Sequence, residues 1–322
     1  MNRTWQFLLG IFWGIATLSP LCAEIFYDNV ATTYNTTAPG GLYVNSGWDL
    51  QGTHLTFLAT PIAPNYFIAA KHPYPASIGH TIDFSSGPNM GSYTTIAVYD
   101  DPSADLRIFK ISGTFAAWAP LCTNSNEVGK TLVDFGRGIA KGGEVRDPTL
   151  NQLRGWYWGG SSVQRWGTNI VSGTASSVNN SGVQLYANFD ANSGLPDEVD
   201  LGSGDSSGGL FIQDGGVWKL AGINYVVDGY FNFIPSDTGR FSGAIFDVRG
   251  LYVGDDAHGW TYYDPNPLVN PNPIPSAFYA TRISSQLNWI GSIVPSAIPE
   301  PSSLTLLLLA GLLLRRQLRR HG

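Results

Sequence analysis

Short runs of apolar or alternating residues recur along most of the chain, at 54–59, 66–70, 94–99, 106–111, 131–135, 182–188, 208–212 and 217–224, with Gly, Pro, Asn and Ser between them. Runs of this length bounded by turn residues predict β-strands, and so many at close spacing predict a sandwich or barrels. One segment has a different period. Ile283, Leu287, Ile290 and Val294 recur at three and four, which predicts a C-terminal helix over 283–294, with Ser284 or Ser285 as its cap. The Pro-rich stretch 264–275 can sustain neither a helix nor a central strand. It reads as a wrap over the surface or as a linker, and the helix that follows favours the wrap.

The two ends stand apart from this pattern. Arg3, the apolar run 7–18 and the small residue closing Leu21-Cys22-Ala23 read as a signal peptide over residues 1–23. A buried N-terminal helix is the plainer alternative. Ser19-Pro20-Leu21 lacks the small residue expected before a lipidated Cys. At the other end, Pro299-Glu300-Pro301 precedes the apolar run 304–314 and then Arg315, Arg316, Arg319 and Arg320. That run is shorter than the ~20 residues of a comfortable membrane span, and the arginines would hold the tail on the cytoplasmic side during export. Residues 299–320, within a tail taken as 295–322, closely resemble the PEP-CTERM sorting signal of Gram-negative bacteria. The resemblance implies removal of 302–322 by an exosortase, transient contact with the membrane, and delivery to the cell surface or extracellular matrix. A simple C-terminal anchor is the alternative.

Composition agrees with the strand pattern. The chain has 38 Gly, 20 Pro and only 13 % charged residues, a mixture that suits short strands and turns, and 43 % apolar residues suffice for a core. Without both ends, thirteen basic residues face 24 acidic ones, a net charge near −11. Such a surface repels nucleic acid phosphates. Cys22 leaves with the signal, so Cys122 stands alone and no internal disulfide can form. In Pro120-Leu121-Cys122-Thr123 it has no catalytic context and reads as a small buried hydrophobe.

Three segments carry chemistry. Gly204-Asp205-Ser206-Ser207-Gly208-Gly209 runs straight into an apolar strand. Glycines on both sides permit a tight turn that lifts a hydroxyl clear while neighbouring N–H groups converge on an oxyanion. Residues 62–72 end an aromatic and apolar strand on His72, and residues 101–111 open another on Asp105. A nucleophilic Ser needs a base, and the base needs a carboxylate to fix its tautomer.

The order His, Asp, Ser resembles that of the trypsin/chymotrypsin-like serine proteases. Ile-Ala-Pro-Asn-Tyr-Phe-Ile-Ala-Ala-Lys-His, ending at His72, looks like the family's His strand, with Lys71 for an Ala. Asp105-Leu106-Arg107-Ile108 looks like its Asp segment, with Arg107 for a small residue. The Ser turn, the strand 217–223 and the closing segment 280–290 also match, so the likeness spans about 40–294. It implies an all-β fold of two antiparallel six-stranded β-barrels, about 40–120 and 130–280, and a C-terminal helix 283–294, within a protease domain 24–294. It also implies an active site between the barrels, with His72 as general base and then acid, Asp105 orienting it, and Ser206 as nucleophile. The N–H groups of Gly204 and Ser206 would form the oxyanion hole. The substrate would be a protein or peptide, with no cofactor.

The chain departs from the family in several ways. Ser207 stands where Gly follows the nucleophile, and shifting the turn by one residue would make Ser207 the nucleophile. The family often tucks a new Ile or Val N-terminus against the Asp before the Ser. No such motif occurs here, so Asp205 needs another partner or Ile25 serves after processing. Asp200, six residues before Ser206, would sit at the floor of the specificity pocket and favour Lys or Arg. It also belongs to a crowded acidic loop, and Val226-Val227 replaces a Trp-Gly pair. About fifty residues, 225–275, replace a short loop. The acidic pairs 100–101 and 255–256 leave calcium open, although EF-hand spacing is absent. His54, His80, His258 and His321 lack partners at ligand spacing. The reading is an exported serine endopeptidase. A catalytically silent member of the fold, acting in adhesion or binding, is the alternative, and a carbohydrate-binding β-sandwich is a second rival.

Overall fold

The computed structural model describes residues 24–27, 34–160, 163–176, 181–191 and 193–298. The signal peptide expected over 1–23, His321 and the sorting motif from 299 onward lie outside them. The fold is all-β. Six antiparallel strands close a first barrel: β1 (Gly52–His54), β2 (Phe57–Ala63), β3 (Tyr66–Ala70), β4 (Thr81–Phe84), β5 (Gly91–Asp100) and β6 (Leu106–Ile111). Their order around the barrel is β1-β2-β3-β6-β5-β4. The continuous apolar run of β3 has a direct cause, because both of its faces are covered. Phe67 and Ala69 point into the barrel with Phe109, Phe84 and Phe115, while Ile68 and Ala70 pack outward against the second half of the molecule.

The second half is a half-barrel built on seven strands. They are β7 (Thr131–Gly136), β8 (Arg165–Ile170), β9 (Gly173–Ala175), β10 (Gln184–Asn188), β11 (Gly209–Asp214), β12 (Val217–Val227) and β13 (Ala277–Arg282), in the order β8-β7-β11-β12-β13-β10-β9. The ladder curls until β8 and β10 meet through a side chain: Asn169 Nδ2 donates to the Asn188 carbonyl at 2.9 Å and to Val199 O at 3.0 Å. The sheet therefore differs from the expected six-stranded barrel by one short strand and by this side-chain seam. The segments Ala140–Arg146 and Leu153–Gly159 leave it to pair with Gly243–Ile245 in a separate three-stranded sheet.

Between the halves lies one apolar layer. Leu58, Ile62, Ile68, Leu106 and Ile108 of the barrel meet Val133, Phe135, Phe211, Leu220 and Ile223 of the half-barrel. The C-terminal segment closes this layer with Ile283, Ile290 and Val294. It is not one helix over 283–294 but a 3-10 turn, Ile283–Ser285, followed by α1 (Leu287–Ile293). Neither serine caps it. Ser284 Oγ donates to Glu127 at 2.6 Å, and Ser285 Oγ donates to the Arg282 carbonyl at 2.8 Å. Glu127 is fully buried, and Arg282 grips it with two N–H donors. That pairing and the Ser284 hydroxyl outweigh the upward push of burial, so its carboxyl sits below the usual range.

The Pro-rich stretch is an ordered wrap. Val248 N–H donates to Ile274 O at 2.8 Å, and Arg249 Nη1 donates to Asn270 O at 3.0 Å. Beneath it, Arg154 bridges Asp147 and Asp247, all three buried. Near the N-terminus, Ile25–Phe26 pairs antiparallel with Val199–Asp200.

Candidate active site

His72 sits just beyond β3 and Asp105 just before β6, two neighbouring strands whose register pairs Ala70 with Leu106. Residues that follow one strand and precede its antiparallel neighbour must emerge at the same barrel end. Asp105 Oδ1 accepts the His72 backbone N–H at 2.9 Å, and Oδ2 lies 2.7 Å from His72 Nδ1. With a carboxylate at Nδ1, the proton sits there and Nε2 is left as acceptor. Nε2 lies 2.9 Å from Ser206 Oγ. Asp105 is buried, whereas the imidazole is 38 % exposed and opens on a cleft. The ring edge of Tyr225 stands against His72, centroids 5.5 Å apart.

The two departures near these residues have local explanations. Lys71 Nζ donates to the carbonyls of Asp101 and Ala104, each at 2.9 Å, and so ties down the loop that presents Asp105. Arg107 binds Asp100 with two N–H donors at 2.5 and 2.8 Å and donates to Tyr74 O at 2.7 Å. The Arg107 guanidinium holds the Asp100 carboxyl below its usual range. Asp101 accepts from Ser103, Asp255 from His258, and Asp256 from the Trp260 indole. Both acidic pairs are thus engaged within the protein. His54 is buried among aromatic rings with Nδ1 2.7 Å from Thr81 O, and burial pulls its pKa down.

The turn carrying Ser206 is shaped by close backbone approach. A Cβ on Gly208 would lie 1.7 Å from Phe135 O, and one on Gly138 would lie 2.5 Å from Asp205 N. Gly204 has φ +98° and Ser207 has φ +74°. Among the described residues, neither Gly204 N–H nor Ser206 N–H has an acceptor within the protein. Two unpaired donors beside a hydroxyl held by an imidazole are what an oxyanion-binding site requires.

Ser207 does something else. Its hydroxyl is wholly buried and accepts the Ala70 N–H at 2.9 Å, across the boundary between the two halves. His72 Nε2 meets the Ser206 hydroxyl, whereas that of Ser207, the alternative from a turn shifted by one residue, faces Ala70 N–H. Asn224, on β12, secures the same turn from beneath. Its N–H donates to Gly208 O and its carbonyl accepts Ser207 N–H, while Nδ2 donates to Asp134 at 2.8 Å. Nothing in the local sequence marked Asn224, since only the fold brings it under the turn.

Asp205 is held by backbone donors. Gly138 N–H and Gly202 N–H donate to its carboxylate at 2.6 and 2.8 Å, and backbone N–H groups of Glu24 and Arg137 also point to it. Burial outweighs these donors and pushes its pKa up to about 7. Burial likewise raises Asp134 and Glu24 well above the carboxylate range, with repulsion from Asp205 adding to both. Ile25 takes no part in this contact, being paired with Asp200.

Asp200 is not at the floor of the cleft. The ladder with Ile25 turns its carboxylate inward, where it accepts from Leu201 N–H at 2.8 Å and from Ser276 Oγ at 3.2 Å. Burial pushes its pKa up to about 8. The cleft, of about 360 Å³, is lined instead by residues that no local motif marks, notably Phe57, Trp158, Leu201 and Tyr225. Trp158 reaches it from the separate three-stranded sheet. No family model and no curated protein matches this chain.

Proposed function

We propose that the protein is a serine endopeptidase that hydrolyses peptide bonds through an acyl-enzyme, with His72, Asp105 and Ser206 as its triad. One observation carries this reading: an unbroken chain from Asp105 Oδ2 to His72 Nδ1 at 2.7 Å and from His72 Nε2 to Ser206 Oγ at 2.9 Å, opening on a cleft. In the first step Ser206 Oγ bonds to the substrate carbonyl carbon and its proton passes to His72 Nε2. The carbonyl oxygen becomes an oxyanion facing the N–H groups of Gly204 and Ser206. The C–N bond then breaks, and His72 returns the proton to the departing amine. A water molecule repeats the sequence on the ester, losing its proton to His72 and freeing Ser206. Asp105 keeps the imidazole in the required tautomer and steadies its positive charge throughout. No cofactor is needed for these steps.

The proposal extends to location. The apolar N-terminal run and the PEP-CTERM-like tail support export, removal of the tail by an exosortase, and residence at the cell surface or in the extracellular matrix. The test is cleavage of an unfolded protein substrate by the purified protein, compared with Ser206→Ala and His72→Ala. Hydrolysis lost in both variants supports the reading. Undiminished hydrolysis in either contradicts it, and a folded protein with no activity or covalent reactivity favours the silent, binding alternative.

A further inference from the structure

The cleft beside Ser206 has apolar walls drawn from four separate parts of the chain. Phe57 begins β2, Trp158 comes from the separate sheet, Leu201 precedes the Ser206 turn, and Tyr225, Val226 and Val227 end β12. Among the described residues, no carboxylate lines it. Each acid nearby in sequence is committed elsewhere. Asp200 accepts from Leu201 N–H and Ser276, and Asp205 accepts from Gly138 N–H and Gly202 N–H. Asp228, next after Val227, accepts from Ala277 N–H and the Tyr279 hydroxyl, both at 2.9 Å.

We infer that this cleft receives an uncharged, apolar side chain, of the size of Leu or Phe, from the substrate residue whose carbonyl Ser206 attacks. The inference rests on the hydrolase reading and names its substrate class. A Lys or Arg side chain entering the cleft would shed water and meet no counter-charge, which is costly for an ion. An Asp or Glu side chain would face the same loss. An apolar side chain exchanges water for the faces of Phe57, Trp158 and the two valines, and gains in proportion to the area covered. Val227 also occupies the position where the resemblance has Gly, so one branched apolar group stands where a bare backbone would admit a long charged chain.

The experiment uses peptidyl diphenyl phosphonates that differ only in the side chain next to phosphorus, Phe, Leu or Lys, beside a plain fluorophosphonate that carries none. Labelling of Ser206 in the full-length purified protein is followed by peptide mass spectrometry. The Phe or Leu probe is expected to label at least ~100-fold faster than the Lys probe. Val226→Asp, on the half-exposed rim, should raise the Lys rate relative to the Phe rate. Lys labelling as fast as Phe, or equal rates with all three, overturns the inference while leaving the hydrolase reading intact. No labelling even by the plain fluorophosphonate overturns the hydrolase reading, and the substrate class falls with it.

Discussion

The carboxylate of Asp105 holds His72 at two points, accepting the backbone N–H through Oδ1 at 2.9 Å and facing Nδ1 through Oδ2 at 2.7 Å. One group therefore fixes both where the residue sits and which ring nitrogen carries the proton. Asp105→Asn preserves the shape of the contact but reverses its polarity at Oδ2 or Oδ1. Turnover should fall by about 10⁴-fold with KM nearly unchanged, as expected when the tautomer is wrong but the cleft is intact. Steady-state kinetics on a peptide substrate checks this. A loss confined to KM would show that Asp105 acts on binding and not on the imidazole.

Ser207 joins the two halves of the molecule through its hydroxyl and the Ala70 N–H, at 2.9 Å and in full burial. It does so in a left-handed conformation, φ +74°, which costs a non-glycine residue roughly 1 kcal/mol or more. Ser207→Ala keeps the strain and orphans a buried N–H, so it should destabilise by about 1–3 kcal/mol in urea unfolding. Ser207→Gly also orphans the N–H but relieves the strain, and should lose less than the Ala variant. Equal stability of Ser207→Ala and the parent would mean that the bond contributes nothing. Both variants should still react at Ser206.

Two buried carboxyls give stability an unusual pH dependence. Asp205 is raised to about 7 and Asp200 to about 8, each from 3.8. Between the unfolded and folded pKa values the folded state binds more protons than the unfolded one, so stability falls as pH rises from about 4 to about 8 and then levels off. Each unit of difference corresponds to about 1.4 kcal/mol. Urea midpoints measured between pH 5 and 8 should decline, and Asp200→Asn should flatten the decline. Midpoints that rise with pH would contradict the assignment of these carboxyls as neutral in the fold. The same variant should keep its preference among phosphonate side chains, because Asp200 faces Ser276 and not the cleft.

Lys71 stands where the resemblance expects Ala, and its ammonium binds the carbonyls of Asp101 and Ala104. Lys71→Ala should slow turnover by roughly tenfold through a looser Asp105 loop, a misplacement effect and not a chemical one. Lys71→Met, which keeps the apolar stem without the charge, should not restore the rate. Full activity in Lys71→Ala would show that the β3–β6 ladder alone places Asp105.

The parts of the site that ride on strand ends were legible in the chain. His72 closes an apolar run and Asp105 opens one, and neighbouring antiparallel strands bring such residues together. The glycines around Ser206 likewise announced a tight turn. What stayed hidden depends on long-range pairing. Asp200 could be placed by spacing alone only at a pocket floor, and it took the short ladder with Ile25 to show the carboxylate turned inward. Trp158 reaches the cleft because its strand pairs with Gly243–Ile245 rather than with the half-barrel, a partner far away in the chain. Ser207 looked like a flaw in a glycine pattern and is a tie between the halves. The C-terminal period fits one helix, but the segment splits where Gln286 leaves helical geometry.

The most direct measurement is to treat the folded, purified protein with a fluorophosphonate and locate the adduct by peptide mass spectrometry. Modification is expected at Ser206 alone, and it should be lost in His72→Ala. An adduct at Ser207, an adduct that survives His72→Ala at an undiminished rate, or no adduct in a protein shown to be folded by circular dichroism would contradict it.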